Sequence, residues 1–190
     1  MDKKKYKVAI VGCGGIGHAH MEGYNKVDEV EVIACCDPVP SAVEYYKKEF
    51  NIQHGFNDLD EMLRVAQPEI ISICVWHLLH DEITIKVANS ESVKGIICEK
   101  PMAIGVEKAR AMVKACEEND VKLAISHQRR FTPGWIKAKE LVENGEIGIP
   151  NRAELRVKDG LLNWGTHSID GARYILGDPK PVWVVGAVER

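Results

Sequence analysis

The sequence predicts an α/β protein with a doubly wound parallel sheet over residues 1–126, followed by an incomplete α+β second domain over residues 127–190. Apolar runs alternate with segments of helical periodicity throughout the first domain. The runs are nearly continuous in apolar residues, which is typical of strands that helices cover on both faces. A glycine-rich turn directly after the first run is the third observation that favours this class.

The elements of the first domain follow one another at regular spacing. Apolar, β-branched runs predict strands at residues 6–11, 30–36, 70–75, 95–98 and 121–126. Amphipathic segments predict helices at residues 16–27, 41–50, 81–88 and 105–118, and a short helix that ends near residue 66. Asn57 or Asp58 is expected to cap that short helix.

The second domain contains too few strands for a sheet of its own. Residues 132–144 and 166–176 predict helices, and residues 152–157 and 182–188 predict strands. Sheets are usually stable with three or more strands, so two strands do not suffice. We therefore expect either a fragment of a longer domain or a homo-oligomer in which another copy completes the sheet.

Charge and composition exclude several classes of partner. The formal net charge is −3 at pH 7, which gives no basic field for nucleic acid or an anionic membrane. The uncharged stretch at residues 70–79 is far shorter than a membrane span, and the N-terminus lacks the pattern of a signal peptide. We expect a cytoplasmic protein without a membrane or nucleic-acid partner.

The cysteine and histidine pattern argues against a metal site. None of the six cysteines forms a C-x-x-C pair, and several lie inside apolar runs, so reduced, buried thiols are expected. His18 and His20 are two residues apart on a helix and therefore point to different faces. We expect no bound metal, and His20 is expected to pack near the glycine turn.

The glycine turn fits a dinucleotide-binding signature. Residues 12–17, Gly-Cys-Gly-Gly-Ile-Gly, match G-x-G-x-x-G between a strand and a helix. Gly12 allows the tight turn, Gly14 lets a pyrophosphate approach the backbone, and Gly17 lets the helix pack closely on the strand. The phosphates would meet the helix N-terminus, where Gly15 and Ile16 lie. A glycine turn without a ligand is the alternative.

An acidic residue at the end of the second strand predicts the choice of cofactor. Asp37 lies twenty residues after Gly17, where a carboxylate accepts hydrogen bonds from the adenosine ribose. A 2′-phosphate would meet like charge there, and no arginine follows closely. NAD is therefore favoured over NADP.

Two further segments are expected at the carboxyl edge of the sheet, where ligands bind in doubly wound folds. Lys100 follows the strand at residues 95–98, and a charged neighbourhood there can lower its pKa toward the working pH. A solvated lysine at a strand end is equally consistent with the pattern. Trp76, His77 and His80 follow the preceding strand at the same edge and are expected to contact the cofactor or to form a solvated loop.

The order of motifs resembles that of the Gfo/Idh/MocA oxidoreductases, which include glucose–fructose oxidoreductase and inositol dehydrogenase. The shared elements are the glycine turn, Glu99-Lys100-Pro101, the run Gln128-Arg129-Arg130-Phe131, and the run from Asn163 to Asp170. The resemblance implies a Rossmann domain followed by a domain built on a large open sheet. It also implies hydride transfer between NAD(P) and a hydroxyl or carbonyl group of a sugar, cyclitol or related polyol.

The resemblance implies roles for individual residues. Lys100 takes the position of a catalytic or substrate-orienting lysine, and His167 that of the second motif's histidine. Many members have Asp where this chain has Asn163, and an amide cannot take a proton at neutral pH. We therefore expect His167 to act as the general base, Asn163 to orient the substrate, and Lys100 to stabilise the substrate oxygen.

Other positions receive less specific roles. Glu99 and Gln128 are expected beside the cofactor, and Arg130 and Asp170 beside the substrate. Alternatively, Arg130 forms a structural ion pair, and Asp170 orients Arg173 one helical turn later.

Three rival functions stay open at the level of sequence. A non-catalytic sensor of dinucleotide or sugar would bind NAD without hydride transfer. An NAD-dependent glycosidase would cleave a chromogenic glycoside without net release of NADH. An inactive truncation would expose strand edges and aggregate or form unusual oligomers.

Overall fold

The computed structural model describes residues 4–158 and 160–187, and the chain divides into two compact units, Met1–Ser126 and His127–Arg190. The first unit holds a six-stranded parallel sheet in the order β3-β2-β1-β4-β5-β6. Its strands are β1 (Tyr6–Val11), β2 (Val30–Cys36), β3 (His54–Phe56), β4 (Ile70–Ile73), β5 (Gly95–Glu99) and β6 (Lys122–Ser126). Its helices are α1 (Gly15–Tyr24), α2 (Pro40–Phe50), α3 (Leu59–Ala66), α4 (His80–Ala88) and α5 (Val106–Glu118).

Helices cover both faces of this sheet, as predicted. Successive strand residues point to opposite faces, so Ile10 packs in one apolar cluster while Ala9 and Val11 pack in the other. The cluster around Ile10 includes residues of α1 and α2, and the opposite cluster includes residues of α3, α4 and α5. The doubly wound parallel sheet is therefore confirmed. Its order reverses between β1 and β4, which creates a switch point at the carboxyl edge.

Local signals set most boundaries to within one residue, with three differences. Helix α1 ends at Tyr24, three residues earlier than predicted. Asp58 caps α3, because its Oδ1 accepts a hydrogen bond from Glu61 N at 2.8 Å. Strand β3 was not located from the sequence, since three residues, His-Gly-Phe, are too short for a periodic pattern. Strand β4 ends at Ile73, two residues earlier than predicted.

The second unit is helical where secondary structure forms. Its elements are a 3₁₀ turn (Gln128–Phe131), α6 (Pro133–Glu143), a π-helical turn (Leu161–Gly165) and α7 (Thr166–Ile175). Gly171 lies where α7 meets the indole of Trp135, and any side chain at that position would overlap the ring. The two helices therefore pack at close range.

The two strands predicted for the second unit are wrong for the described residues. Residues 152–157 and 182–187 form no ladder, and Val188 lies outside the described part of the chain. Strand propensity forms a strand only where a neighbour pairs with the backbone, and the described part of this unit offers none. Val182, Trp183 and Val184 are 92%, 78% and 85% exposed as a result. In the ranges described, no helix combines the length and apolar character that a bilayer crossing needs.

Candidate active site

The glycine turn between β1 and α1 depends on two glycines that no other residue can replace without strain. Gly12 has a φ of +101°, and a Cβ there would lie 2.6 Å from the carbonyl oxygen of Cys74. Its N–H donates to Cys36 O at 2.8 Å. A Cβ at Gly17 would overlap the carbonyl oxygen of Gly12 and lie 2.9 Å from the hydroxyl of Tyr46. The helix therefore starts in contact with the turn.

The N-terminus of α1 faces open space. Gly14 and Gly15 are exposed, and a Cβ at either position would meet no described atom within 4 Å. The first turn of α1 contains no acidic residue. The N–H groups of Gly15, Ile16 and Gly17 lie in the first turn of α1, where helix geometry provides no carbonyl oxygen of the same helix for them. The helix dipole also makes this end attractive to anions. The space and the donors fit a pyrophosphate group.

Asp37 is held in a fixed orientation at the end of β2. Its Oδ2 accepts from Cys13 N at 2.9 Å, and its Oδ1 accepts from Val39 N at 2.9 Å. The Asn57 amide donates to the Asp37 carbonyl oxygen at 2.8 Å. Each carboxylate oxygen has a further lone pair that can accept a hydrogen bond from a hydroxyl group. The turn and the carboxylate are thus locked together before any ligand binds.

A cleft of about 280 Å³ opens at the switch point next to this carboxylate. Its lining combines strand ends, the β2–α2 loop, the start of α3 and one side of α4, and it is mostly apolar. The lining residues are Val11, Gly12, Cys36, Pro38, Asn57, Asp58, Leu59, Val75, Leu79, Glu82, Ile83 and Lys86. Lys86 donates to Asp60 at 2.9 Å, so its charge is already paired. An adenine ring is of suitable size and polarity for this cleft.

Several cysteines lie in the interior around the glycine turn. All six cysteines are free and buried, which confirms the expectation from the sequence. Burial, together with the negative charge of Asp37, raises the pKa of Cys36 to about 12. Within the described ranges, no group of three or more His, Cys, Asp or Glu side chains could hold a metal ion.

The segment that carries Lys100 is anchored by the buried side chain of Glu99. Lys100 follows the last residue of β5, and the Lys100–Pro101 peptide bond is cis. Glu99 is only 4% exposed, and its Oε2 accepts from Lys100 N at 3.3 Å. Burial opposes ionisation, but hydrogen bonds from His20 and Ser126 hold the pKa of Glu99 below its ordinary value. The geometry favours a supporting position for Glu99 over the direct cofactor contact predicted from the sequence.

His80 is also internal, unlike its neighbours in the loop after β4. It is 1% exposed, with Nδ1 at 2.8 Å from Pro101 O and Nε2 at 3.1 Å from Val75 O. Its ring therefore links the two loops, and the contact of His80 with a cofactor stays a prediction. Trp76 is 66% exposed, and its ring lies 4.6 Å from that of His77. These two rings can contact a ligand.

The second unit contains the predicted histidine motif on one helical surface. Asn163 is exposed in the π-helical turn, and His167 is the second residue of α7. The two were expected to lie on either side of a loop-to-helix junction, but the π-helical turn continues directly into α7. His167 is 7% exposed, with its ring 6.5 Å from that of Trp164. The motif therefore presents an exposed amide beside a largely buried imidazole.

Arg130 forms an ion pair, which is the alternative that the sequence left open. Its guanidinium donates to Asp170 at 2.7 to 3.0 Å and to Asp178 at 3.0 and 3.1 Å. Hydrogen bonding to Arg130 holds the pKa of Asp178 below its ordinary value. Asp170 thus holds Arg130 and not Arg173, which lies 3.6 Å from Asp178 instead. Gln128 is exposed at the start of the 3₁₀ turn that also contains Arg130.

Sequence reasoning missed the polar residues that lie behind the site. Ser72 is fully buried in β4, where its hydroxyl contacts both His20 and Tyr24. Its position inside the run Ile-Ile-Ser-Ile was the available signal, because a buried hydroxyl needs a partner. Tyr46, whose hydroxyl donates to Gly14 O, gave no comparable signal.

Comparison with known proteins agrees with this architecture. A family model for oxidoreductases with an NAD-binding Rossmann fold matches residues 6–127. The chain belongs to this family, known as Gfo/Idh/MocA. It is 27% identical to myo-inositol 2-dehydrogenase of Thermotoga maritima, over 96% of this chain and 58% of the relative. It is 28% identical to D-apiose dehydrogenase of Paraburkholderia graminis, over 92% of this chain and 51% of the relative.

A solved structure gives the same picture. An oxidoreductase from Agrobacterium radiobacter, crystallised with NAD+, L-tartaric acid and magnesium, matches with a TM-score of 0.82 and 25% identity. The match covers 92% of this chain and 55% of that one. The chain thus spans little more than half the length of the relatives that it matches.

Proposed function

We propose that this chain binds NAD and belongs to a dehydrogenase that transfers hydride between nicotinamide and a hydroxyl or carbonyl group of a sugar, cyclitol or related polyol. The observation that carries the proposal is the open glycine turn beside an anchored carboxylate. Gly14 and Gly15 leave room for a pyrophosphate at the N-terminus of α1, and Asp37 is already oriented. The family and the named relatives supply the class of reaction.

Separate groups of residues in the first unit suit the pyrophosphate, the adenosine ribose, the adenine and the nicotinamide half of NAD. The glycine turn from Gly12 to Gly17 binds the pyrophosphate through its N–H groups, and Asp37 accepts hydrogen bonds from the adenosine ribose. The apolar cleft beside Asp37 takes the adenine. Trp76 offers an exposed ring and His77 a partly exposed one at the same edge for the nicotinamide half.

NAD is preferred over NADP on electrostatic grounds. A 2′-phosphate would bring two negative charges next to the Asp37 carboxylate, which two backbone N–H groups already fix in place. Lys86, the cation of the cleft lining, is paired with Asp60. The site therefore lacks an arranged cation for that phosphate among its described lining residues.

Three residues are assigned to the chemistry, each by its functional groups. The nicotinamide ring, when bound, would supply the hydride acceptor or donor for these residues. Lys100 donates a hydrogen bond to the substrate oxygen and stabilises the negative charge that develops there. His167 takes the proton of the substrate hydroxyl, since an imidazole titrates near neutral pH. Asn163 orients the substrate through its amide, because an amide cannot act as a base. Arg130 and Asp170 support the second unit as an ion pair.

The biological setting follows the same reasoning. We propose a cytoplasmic enzyme, because all six cysteines are free and buried, as suits a reducing compartment. We further propose a homo-oligomer, supported by the exposed apolar residues Val182 to Val185. The net charge of −3 fits a small-molecule substrate better than nucleic acid or a membrane surface.

The test is NAD+ reduction, followed at 340 nm, with a panel of polyols that begins with myo-inositol and D-apiose. Lys100→Met should lower turnover by about 10²–10⁴-fold if Lys100 acts on the substrate oxygen. Lys114→Met is the matched control, since this lysine lies exposed on α5. The proposal would be contradicted if no polyol of the panel were oxidised. It would also be contradicted if Lys100→Met and Lys114→Met had the same turnover.

A further inference from the structure

A buried chain of hydrogen bonds connects α1 with the residue that precedes Lys100. The Nε2 atom of His20 lies 3.1 Å from Glu99 Oε1, and its Nδ1 atom lies 3.1 Å from Ser72 Oγ. The hydroxyl of Tyr24 lies 2.7 Å from the same Ser72 oxygen. The His20 and Glu99 side chains are only 12% and 6% exposed. These hydrogen bonds therefore join α1 to strands β4 and β5 in the interior of the first unit.

The chemistry of the groups fixes the direction of each hydrogen bond. An ionised Glu99 can only accept, so His20 Nε2 carries the proton and donates to Oε1. In the neutral imidazole, Nδ1 then accepts from the Ser72 hydroxyl, which in turn accepts from Tyr24. The hydrogen bonds thus run in one direction, from Tyr24 through Ser72 and His20 to the Glu99 carboxylate. In this arrangement each hydrogen bond joins one donor to one acceptor.

The Glu99 carboxylate also contacts the backbone of Lys100. Glu99 Oε2 accepts from the backbone N–H of Lys100 at 3.3 Å. Ser126, which pairs with Glu99 in the β5–β6 register, also hydrogen-bonds to the carboxylate. His20 is the only imidazole among these described donors, and it arrives from the helix whose first turn forms the glycine site. Removal of the His20 donor would free the carboxylate to rotate away from the Lys100 N–H.

We propose that His20 and Glu99 form a positioning pair for Lys100, in which His20 holds the Glu99 carboxylate and the carboxylate holds the Lys100 backbone. Neither residue touches a substrate in this account. The inference rests on the proposed function, because it concerns the orientation of the lysine that acts on the substrate oxygen. It assigns to His20 a role that its position in the glycine-turn helix alone does not reveal.

Two amide substitutions separate this role from simple packing. The amide nitrogen of Gln can reach the place of the His20 Nε2 atom, so His20→Gln keeps the donor to Glu99 and loses the contact with Ser72. The shorter Asn reaches the place of Nδ1, so His20→Asn keeps the Ser72 contact and loses the donor to Glu99. Tyr24→Phe removes the far end of the chain and serves as the control.

The measurements are kcat and KM with a polyol that the chain oxidises, the Kd for NADH, and hydrogen exchange at the Lys100 amide in the cofactor-free chain. We expect His20→Asn to lower kcat about tenfold or more and to speed Lys100 amide exchange about tenfold. For His20→Gln and Tyr24→Phe, both kcat and the exchange rate of the Lys100 amide should stay within about threefold of the parent values. The Kd for NADH should change less than about threefold in all variants, because the glycine turn is untouched.

The outcomes distinguish the two proposals. Equal effects of His20→Asn and His20→Gln on kcat and on amide exchange would overturn the positioning pair, since packing or the tie to Ser72 would then explain both. Exchange that responds to His20→Asn alone, in a chain that oxidises no polyol, would support the positioning pair and contradict the proposed function.

Discussion

Gly14 offers a way to separate cofactor binding from folding. Its backbone is extended, with φ −98° and ψ −170°, so a larger residue meets no backbone strain. A Cβ there would meet no described atom within 4 Å. In Gly14→Val, the loss of a favourable N-cap residue and the reduced freedom of the unfolded chain oppose each other at about 0.5–1 kcal/mol each. We expect the free energy of unfolding to change by less than about 1 kcal/mol.

Binding should respond quite differently. The valine side chain would occupy the space where a pyrophosphate approaches the N-terminus of α1. Loss of even one charge-assisted hydrogen bond costs about 1.5–3 kcal/mol, so the Kd for NADH should rise at least about tenfold. Fluorescence titration with NADH measures this, and urea unfolding measures stability. Gly23→Ala is the matched control on the same helix, because its Cβ also meets open space. NADH affinity equal to that of the parent in Gly14→Val would refute the placement of the pyrophosphate.

Three further predictions concern the same unit. Asp37→Asn should shift the ratio of NADH to NADPH affinity at least about tenfold towards NADPH, as measured by parallel titrations, because the charge that repels a 2′-phosphate is lost. Gly12→Ala should lower the free energy of unfolding by about 2 kcal/mol or more in urea, since its Cβ would lie 2.6 Å from Cys74 O at a φ of +101°. The folded pKa of Glu99 is depressed, so its stabilising contribution is present above the ordinary value of 4.5 and is lost as pH falls below it. Glu99→Gln should therefore flatten the acid limb of a stability–pH curve.

A specific result would contradict each of the predictions for Asp37, Gly12 and Glu99. An unchanged cofactor ratio in Asp37→Asn would remove Asp37 from the ribose site. Normal stability of Gly12→Ala would mean that the turn relaxes without cost. An acid limb in Glu99→Gln that is identical to that of the parent would show that other carboxylates control stability there.

The parts of the fold that were predictable depend on local chemistry. The glycine turn and the apolar runs of β1, β2, β4, β5 and β6 follow from residues close in the chain, because turn geometry and buried-strand composition are local properties. The Asp58 cap is predictable for the same reason. Strand β3 was missed because its three residues form a strand only through pairing with β2.

The parts that were not predictable depend on distant partners. Residues 152–157 and 182–187 have strand-like patterns, but a strand needs a neighbour that the described part of this unit does not supply. Glu99 and His80 lie beside loops and strand ends, as the sequence suggested, yet their side chains turn inward to His20 and to Pro101. Sequence patterns place a residue on an element, whereas side-chain direction depends on contacts that are far apart in the chain.

In the proposed function, the glycine turn and Asp37 of the first unit together form the binding site for NAD. The most direct measurement is a titration of the chain with NADH, and in parallel with NADPH, followed by nicotinamide fluorescence. We expect saturable binding of NADH and binding of NADPH that is at least about tenfold weaker. Binding of neither cofactor would contradict the dinucleotide site, and equal binding of both would contradict the role of Asp37.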